Sequence, residues 1–205
     1  MEPEYDPEMS IVDIARHLIV AEPEFECESL ARPGIYFRAS ARHQLRSGAS
    51  HRELAHLRSF VCDPTDELVD FYSLIDGGEF FRDNKSDHSL MWLYPLNEWS
   101  HHTAELKQIY AEMGHKSYPK WFTNGVAIGE VSHSLNGFVV DLSGNGEIYL
   151  TDHEGSQPEL PIADSLGHLL LNMAFDTIEF ARVVGAYPRL TDPVTGDLGC
   201  PVRIV

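Results

Sequence analysis

Cysteine and basic residues are both scarce in this chain of 205 residues. The three cysteines, Cys27, Cys62 and Cys200, are odd in number and form no CxxC pair. Neither a disulfide framework nor a cysteine zinc site is therefore expected, and a reducing location, the cytoplasm, is favoured. Only 15 lysines and arginines stand against 32 aspartates and glutamates, a formal net charge of −17. Such a surface repels nucleic acid and anionic membranes and attracts basic proteins, although plain solubility explains the same excess.

Long apolar runs, phosphate-binding loops and internal repeats are also absent from the sequence. No stretch is long enough to span a bilayer, and the acidic first nine residues, MEPEYDPEM, lack the basic and apolar regions of a signal peptide. The glycine-rich stretches at 77–78 and 144–146 fit neither the GxxxxGK[ST] nor the GxGxxG pattern. The sequence predicts no membrane segment, no nucleotide site and no other cofactor.

Three short apolar runs between Trp121 and Asp152 organise the chain. The runs and the turns between them are residues 126–131, 138–142 and 148–150, separated by Asn136-Gly137 and Gly144-Asn145-Gly146. Asparagine and glycine tolerate positive φ and are typical of tight turns. Residues 126–150 are therefore predicted to form three consecutive antiparallel strands. Such a meander has one face to bury and needs helices to cover it.

Helical patterns on both sides of the meander supply that cover. Ser10 with Asp13, and Ser50 with Glu53, have the spacing of capping boxes at helix starts. Further amphipathic stripes follow Pro95 and the pair Asp164-Ser165. These patterns predict an α+β fold, in which helices pack against an antiparallel or mixed sheet.

Asp63-Pro64 is the strongest helix start in the sequence, and an apolar stripe at helical spacing follows it. The pair Gly77-Gly78 is predicted to end this helix, with Gly77 in the left-handed conformation. The run LMWLY at 90–94 is apolar at every position, which predicts the first strand of the sheet in a central position.

The two ends of the chain carry weaker patterns. Glu22, Glu24, Glu26 and Glu28 alternate and would share one face of a strand, but Pro23 argues for a solvated acidic connector instead. Short strands are predicted at 35–37 and at 202–205. The predicted organisation is an N-terminal elaboration over 1–61, an α+β domain over 62–185 and a C-terminal tail over 186–205.

The order of motifs from Pro64 to about Phe175 resembles that of the SUKH superfamily. The motifs that carry the resemblance are Pro64, the stripe Leu68, Phe71 and Tyr72, Asp76-Gly77-Gly78, Leu93-Tyr94-Pro95-Leu96, Val126-Ala127-Ile128-Gly129, Gly137 to Leu142 and Gly146-Glu147-Ile148-Tyr149. Members of the superfamily include bacterial toxin-immunity proteins and a fungal cell-wall regulator. The resemblance covers a little over half of the chain, and Asp76 stands where the family often has asparagine. It implies a binding role and no enzymatic one.

Several histidines and carboxylates are candidates for catalytic or metal-binding groups. The histidines considered are His101, His102, His115, His133 and His153, and no pair of them has the HExxH spacing of a zinc helix. Ser132-His133-Ser134 lacks a nucleophile-elbow frame. Asp141, Glu147, Asp152 and Glu154 cluster near the meander ends and could serve a hydrolase if they converged. The sequence predicts no catalytic residue and no metal ligand.

The favoured function is an immunity-type protein that binds and neutralises a basic toxin domain. The alternatives are a regulatory scaffold of the same fold with a non-toxin protein partner and, less favoured, a carboxylate-based hydrolase. Loop tips usually carry recognition when helices and strands bury their apolar stripes. The predicted partner-binding residues therefore lie in the turn from 76 to 79 and the segment from 147 to 154, and they are Asp76, Glu79, Glu147, Asp152 and Glu154.

Overall fold

A single antiparallel sheet is the frame of the molecule. The computed structural model describes residues 9–60, 66–86, 88–114, 118–143, 146–153 and 158–205. Within these residues the strands are β1 (Glu24–Ser29), β2 (Tyr36–Ser47), β3 (Ile75–Asp83), β4 (Met91–Leu93), β5 (Val126–Val131), β6 (Gly137–Val140), β7 (Ile148–Leu150), β8 (Leu190–Thr191) and β9 (Leu198–Ile204). They pair in the order β7-β6-β5-β4-β3-β2-β1-β9-β8, and every pairing is antiparallel. The predicted α+β fold is confirmed.

Helices cover this sheet on both faces. The helices are α1 (Ile11–Val20), α2 (His51–Phe60), α3 (Asp66–Leu74), α4 (Trp99–Glu112), α5 (Lys120–Asn124), α6 (Leu166–Phe175) and α7 (Thr177–Val183), and a 3-10 turn, Leu96–Glu98, precedes α4. Helices α1, α3 and α6 bury Leu18, Phe71 and Leu170 in one large core with the sheet. On the other face, Tyr110 of α4 and Phe122 of α5 belong to a second, smaller core over β6 and β7.

Local signals account for the helix starts. The Ser10 hydroxyl accepts a hydrogen bond from the Asp13 backbone N–H at 3.2 Å, at the start of α1. At α2, Ser50 Oγ accepts from the Glu53 N–H, and the Glu53 carboxylate accepts in return from the Ser50 N–H at 2.8 Å. The reciprocal capping box predicted at Ser50 is confirmed, whereas at Ser10 the serine caps the helix and Asp13 accepts only from the serine hydroxyl. Each satisfies backbone donors that a helix start leaves without a partner.

The meander is also confirmed. In β5, Val126 lies opposite Val140 of β6, which in turn lies opposite Ile148 of β7. The apolar alternation and the turns together fix this register. A shift of one residue would move every apolar side chain of a strand to the opposite face of the sheet. Of the second predicted turn, Gly146 has φ +81°, while residues 144 and 145 lie outside the described residues.

The predicted helix stop at Gly77 is wrong, although its positive φ is confirmed at +74°. Helix α3 ends at Leu74, and Ile75 already begins β3, so Gly77 lies inside a strand. The cause is a close crossing: a Cβ on Gly77 would lie 2.4 Å from the carbonyl oxygen of Leu93.

Pro64, the predicted helix start, lies outside the described residues. Since β3 comes before β4 in the chain, the prediction that residues 90–94 form the first strand is also wrong, whereas the central position of β4 is confirmed.

The acidic connector predicted around Pro23 is likewise corrected. Residues 24–29 form β1, which pairs with β2 on one side and β9 on the other. Phe25 and Cys27 are buried on one face, and the alternating glutamates lie on the other. Pro23 precedes the strand, so it removes no hydrogen bond from the ladder. The short strands predicted at 35–37 and 202–205 are the ends of longer ones, β2 and β9.

Asp83 joins the C-terminal strands to the middle of the sheet. Its side chain is 2 % exposed. Its carboxylate accepts hydrogen bonds from the Thr191 N–H at 3.0 Å and hydroxyl at 2.7 Å, and from the Ser86 N–H at 2.7 Å. Burial alone would raise the pKa of Asp83, but these hydrogen bonds outweigh it and lower the pKa below its usual value.

His43 on β2 is a half-buried histidine that stays neutral. Its Nδ1 accepts a hydrogen bond from the Phe81 N–H at 3.4 Å, and its Nε2 is buried without a partner. The ring packs edge-on against Phe80 and Phe81. Burial, helped by the nearby His17, lowers the pKa of His43 to about 4.

The free energy of unfolding is therefore expected to fall as the pH drops from about 6.5 towards 4. In this range the unfolded chain protonates residue 43, whereas the folded protein keeps it neutral. The contribution of His43 to the slope reaches about 1.4 kcal/mol per pH unit at its steepest. Urea denaturation in steps from pH 7.5 to 4.5 measures it, with His43→Gln as the comparison because glutamine still offers an acceptor to Phe81. Equal slopes for the two proteins would contradict the assignment.

Candidate interaction surface

Asp76 does not lie on a loop, in contrast to the prediction. It is the second residue of β3 and is 7 % exposed. Its Oδ1 accepts a hydrogen bond from the Leu96 N–H at 2.9 Å. Burial raises the pKa of Asp76, and the bond from Leu96 partly offsets that effect. This carboxylate therefore holds the chain that enters the 3-10 turn before α4.

Glu79 is also in β3, and the predicted turn from 76 to 79 does not exist. Its side chain is 29 % exposed and accepts two hydrogen bonds from Arg82 Nη1, at 2.8 and 2.9 Å. This ion pair holds the carboxylate in one position on the surface of the sheet. Glu79 is thus accessible, but its charge is partly balanced.

The remaining predicted partner residues lie at the other end of the sheet. Glu147 precedes β7 and accepts a hydrogen bond from the Tyr149 hydroxyl at 3.2 Å, while Asp152 follows β7 at its opposite end. Strands β4, β5 and β6 separate β7 from β3, a distance of about 19 Å at the usual strand spacing. Glu154 lies outside the described residues. Of the five predicted residues, those that the structure describes do not form one cluster.

A row of side chains across four strands takes the place of that cluster. Gln44 of β2 lies opposite Glu79, Glu79 opposite Trp92 of β4, and Trp92 opposite Glu130 of β5. Directly opposite residues in antiparallel strands share a face of the sheet. The half-buried Trp92 ring, which packs against the edge of the large core, therefore lies between two carboxylates.

An aromatic and acidic group extends this row towards α4. The hydroxyl of Tyr94 donates a hydrogen bond to Glu130 at 2.8 Å. The ring of His102 stacks on the ring of Tyr94, with the two centroids 3.7 Å apart. His102 lies 3.5 Å from Glu98 and 3.4 Å from Glu105. Burial, together with the bond to Glu130, raises the pKa of Tyr94, so its hydroxyl stays protonated and keeps donating. We name this set the Trp92 surface, and its members are Glu79, Trp92, Tyr94, Glu98, His102, Glu105 and Glu130.

Arginines border the Trp92 surface on the side of β2. Arg42 and Arg46 are exposed on the same face of the sheet as Gln44, because they lie at alternate positions of the strand. Arg46 lies 3.8 Å from Glu98, at the rim. The acidic part of this face is therefore limited on one side by positive charge and extends on the other towards α4.

The sequence comparison adds the family of this chain. The family model of the SMI1/KNR4 family (SUKH-1) matches residues 65–172. The chain belongs to this family. No curated protein matches the chain. The matched residues include β3 to β7 and α4, so every member of the Trp92 surface lies within the part of the chain that the SMI1/KNR4 family shares.

The family includes immunity proteins and is in general a binding family. Three cavities open between described residues, and Glu53 is the one carboxylate in their described linings. Asp141 lies beside Glu147, since its N–H donates to the Glu147 carbonyl, but Asp152 lies at the opposite end of β7. Of the carboxylates in the hydrolase alternative, the three that the structure describes therefore do not lie together.

Neither a cluster of three or more metal ligands nor a membrane-spanning helix occurs among the described residues. No group of three or more histidine, cysteine, aspartate or glutamate side chains in this part of the chain could hold a metal ion. Within the same residues, no helix combines the length and the apolar character that crossing a membrane requires.

Sequence reasoning missed most of the Trp92 surface. Glu79 was predicted, whereas Trp92 was placed in the apolar run at 90–94 that predicts a strand. Glu130 and Tyr94 belong to apolar runs that predict strands, but their shared face depends on pairing between strands far apart in the chain. Glu130 is a single charged residue among the apolar residues of 126–131. This position in the run was the sequence signal that its side chain lies on the less buried face of the strand.

Proposed function

We propose that this protein is a cytoplasmic immunity-type protein that binds and neutralises a basic toxin domain without catalysing a reaction. Membership of a family that includes immunity proteins and a net charge of −17 both support this function. Toxin domains that act on nucleic acids carry basic surfaces because they must bind phosphates. An acidic inhibitor associates quickly with such a surface.

The observation that carries the proposal is the row Glu79, Trp92 and Glu130. An arginine or lysine of the partner can lie over the Trp92 ring in a cation–π contact while the two carboxylates pair with its charge. Tryptophan is enriched among the few residues that supply most of the binding energy at interfaces. The hydrogen bonds from Arg82 and Tyr94 hold the two carboxylates in place before binding, which lowers the entropic cost.

Glu147, Asp152 and Glu154 have a different role in this proposal. Glu147 and Asp152 lie on the β7 side, away from the row, and all three residues act as long-range charges that attract the partner. Asp76 is left out of the contact because it is buried and bonded to Leu96. Charges at the rim change the association rate, and contacts at the centre change the dissociation rate.

The test uses the partner protein that this protein captures from its native host. Trp92→Ala is expected to raise the dissociation rate by about 30-fold, the effect of losing a central aromatic contact. Glu130→Gln, which keeps an acceptor for Tyr94, is expected to raise it by a smaller factor. Asp152→Lys is expected to slow association several-fold at low salt and to weaken its dependence on salt. Surface plasmon resonance at low and high ionic strength measures both rates.

A charge reversal of the same size elsewhere controls for net charge. Glu22→Lys, on the exposed connection between α1 and β1, is expected to leave the dissociation rate unchanged. Circular dichroism verifies that each variant is folded. Unchanged dissociation for both Trp92→Ala and Glu130→Gln would refute the Trp92 surface as the contact. A partner that is not a toxin would favour the regulatory scaffold instead.

A further inference from the structure

Two histidines from distant parts of the chain meet at one end of the sheet. His88 lies in the segment before β4, and His133 lies in the turn after β5. The distance between His88 Nδ1 and His133 Nε2 is 3.2 Å. The ring centroids are 5.1 Å apart, with the ring planes at 65° to each other. Both rings line a cavity of about 250 Å³ that also includes Ser89, Ser132 and Arg189.

Several contacts hold the two segments together around these rings. The hydroxyls of Ser89 and Ser132, each next to one of the histidines in sequence, are 2.7 Å apart. The Ser132 N–H donates to the Leu90 carbonyl at 3.2 Å, and the His88 carbonyl accepts from the Asp83 N–H at 2.8 Å. The backbone segments that carry the two imidazoles are therefore held next to each other by the sheet, while the ring of His133 is exposed to solvent.

His133 also adopts an unusual backbone conformation. Its φ of +58° lies in the left-handed region, where residues other than glycine are uncommon. Asparagine adopts this conformation more readily than most residues. The turn thus directs the imidazole of residue 133 towards His88 at some conformational cost.

We propose that His88 and His133 form a binding site for a borderline divalent cation such as Zn²⁺. Two nitrogens that each lie about 2.0–2.1 Å from one tetrahedral zinc ion are separated by about 3.3–3.4 Å, close to the spacing in this structure. Neutral imidazole nitrogens suit zinc, copper and nickel, whereas magnesium and calcium prefer oxygen ligands. On binding, the ion takes the position between the rings, and the proton shared in the His–His contact moves through solvent to the outer nitrogen of the same ring, so both rings stay neutral.

A site with two protein ligands leaves the other coordination positions to water. Two ligands supply about half the binding free energy of a four-ligand structural site, which gives a dissociation constant on the order of 10 µM. The spacing of histidines in the sequence gave no hint of this site, because its two ligands are 45 residues apart. The proposal is independent of the toxin-binding function.

Calorimetric titration of the untagged protein with ZnCl₂ near neutral pH tests the site. One equivalent is expected to bind with a dissociation constant near 10 µM. His88→Gln and His133→Asn are each expected to weaken binding at least about 10-fold, since one of two ligands is lost. Asparagine is chosen at 133 because it keeps the left-handed turn. Electron paramagnetic resonance of the Cu²⁺-loaded protein is expected to show coupling to two imidazole nitrogens.

His101→Gln is the matched control. His101 also lies close to another histidine, with its ring centroid 5.2 Å from that of His102, but its side chain is 76 % exposed on α4. Zinc binding is expected to be unchanged in this variant. The proposal is overturned if the native protein binds no stoichiometric zinc at about 1 mM. It is equally overturned if both ligand variants, verified as folded by circular dichroism, bind zinc as the native protein does.

Discussion

Gly77→Ala is expected to lower the free energy of unfolding by about 3–5 kcal/mol. The positive φ of +74° costs a residue with a Cβ about 1–2 kcal/mol. The larger cost is steric, because the new Cβ would lie 2.4 Å from the Leu93 carbonyl oxygen and 2.8 Å from the Tyr94 carbonyl carbon. These are backbone atoms of the neighbouring strand, which can move apart only if β3 and β4 separate, and overpacking of this kind costs about 1–3 kcal/mol or more. Urea denaturation measures the change.

Gly114→Ala separates the two costs. Gly114 has φ +84°, but a Cβ there would meet no atom within 4 Å. Its substitution is expected to cost about 1–2 kcal/mol, the backbone term alone. Equal losses for the two variants would mean that the close crossing of β3 with β4 contributes nothing to the requirement for glycine at position 77.

Asp83→Asn is expected to cost about 2–4 kcal/mol at neutral pH, the second large effect. The buried carboxylate accepts hydrogen bonds from Thr191 and Ser86. The NH₂ group of an asparagine cannot accept, so at least one of these N–H or O–H groups would lose its acceptor. Hydrogen bonds to charged groups contribute about 1.5–3 kcal/mol each, and an unsatisfied buried donor costs about 1–3 kcal/mol. Because these contacts attach β8 to the end of β3, the variant is also expected to speed hydrogen exchange in β8 and β9.

The pH dependence of the stability loss in Asp83→Asn distinguishes the contribution of the ionised carboxylate from that of the side-chain shape. The folded-state pKa of Asp83 is lowered, so the stabilisation is complete above the usual value of 3.8 and is lost as the pH falls through the folded pKa. The difference in stability between native protein and variant should therefore shrink below pH 4. Asp164→Asn, at a side chain that is 85 % exposed, controls for the change of charge and is expected to be nearly neutral. A difference that stays constant down to pH 2 would contradict the role of the ionised carboxylate.

Features that depend on a few consecutive residues could be predicted from the sequence. The helix caps at Ser10 and Ser50, and the antiparallel order of β5, β6 and β7, follow from side chains that act within a few positions of each other. The positive φ of Gly77 was also predicted, but for the wrong reason. A glycine pair after an amphipathic stripe is typical of a helix end, and the crossing with Leu93 depends on a strand 16 residues further along.

The tertiary structure decided which strands pair and what they bring together. Glutamates alternate with Phe25 and Cys27, and this pattern forms a strand only because β2 and β9 lie on either side of it. By itself, therefore, the sequence determined the fold class, the meander, the helix starts and the acidic character of the surface. The row from Glu79 to Glu130, the anchor at Asp83 and the pair His88–His133 required the folded sheet, because each joins side chains that only hydrogen bonding between distant strands makes neighbours.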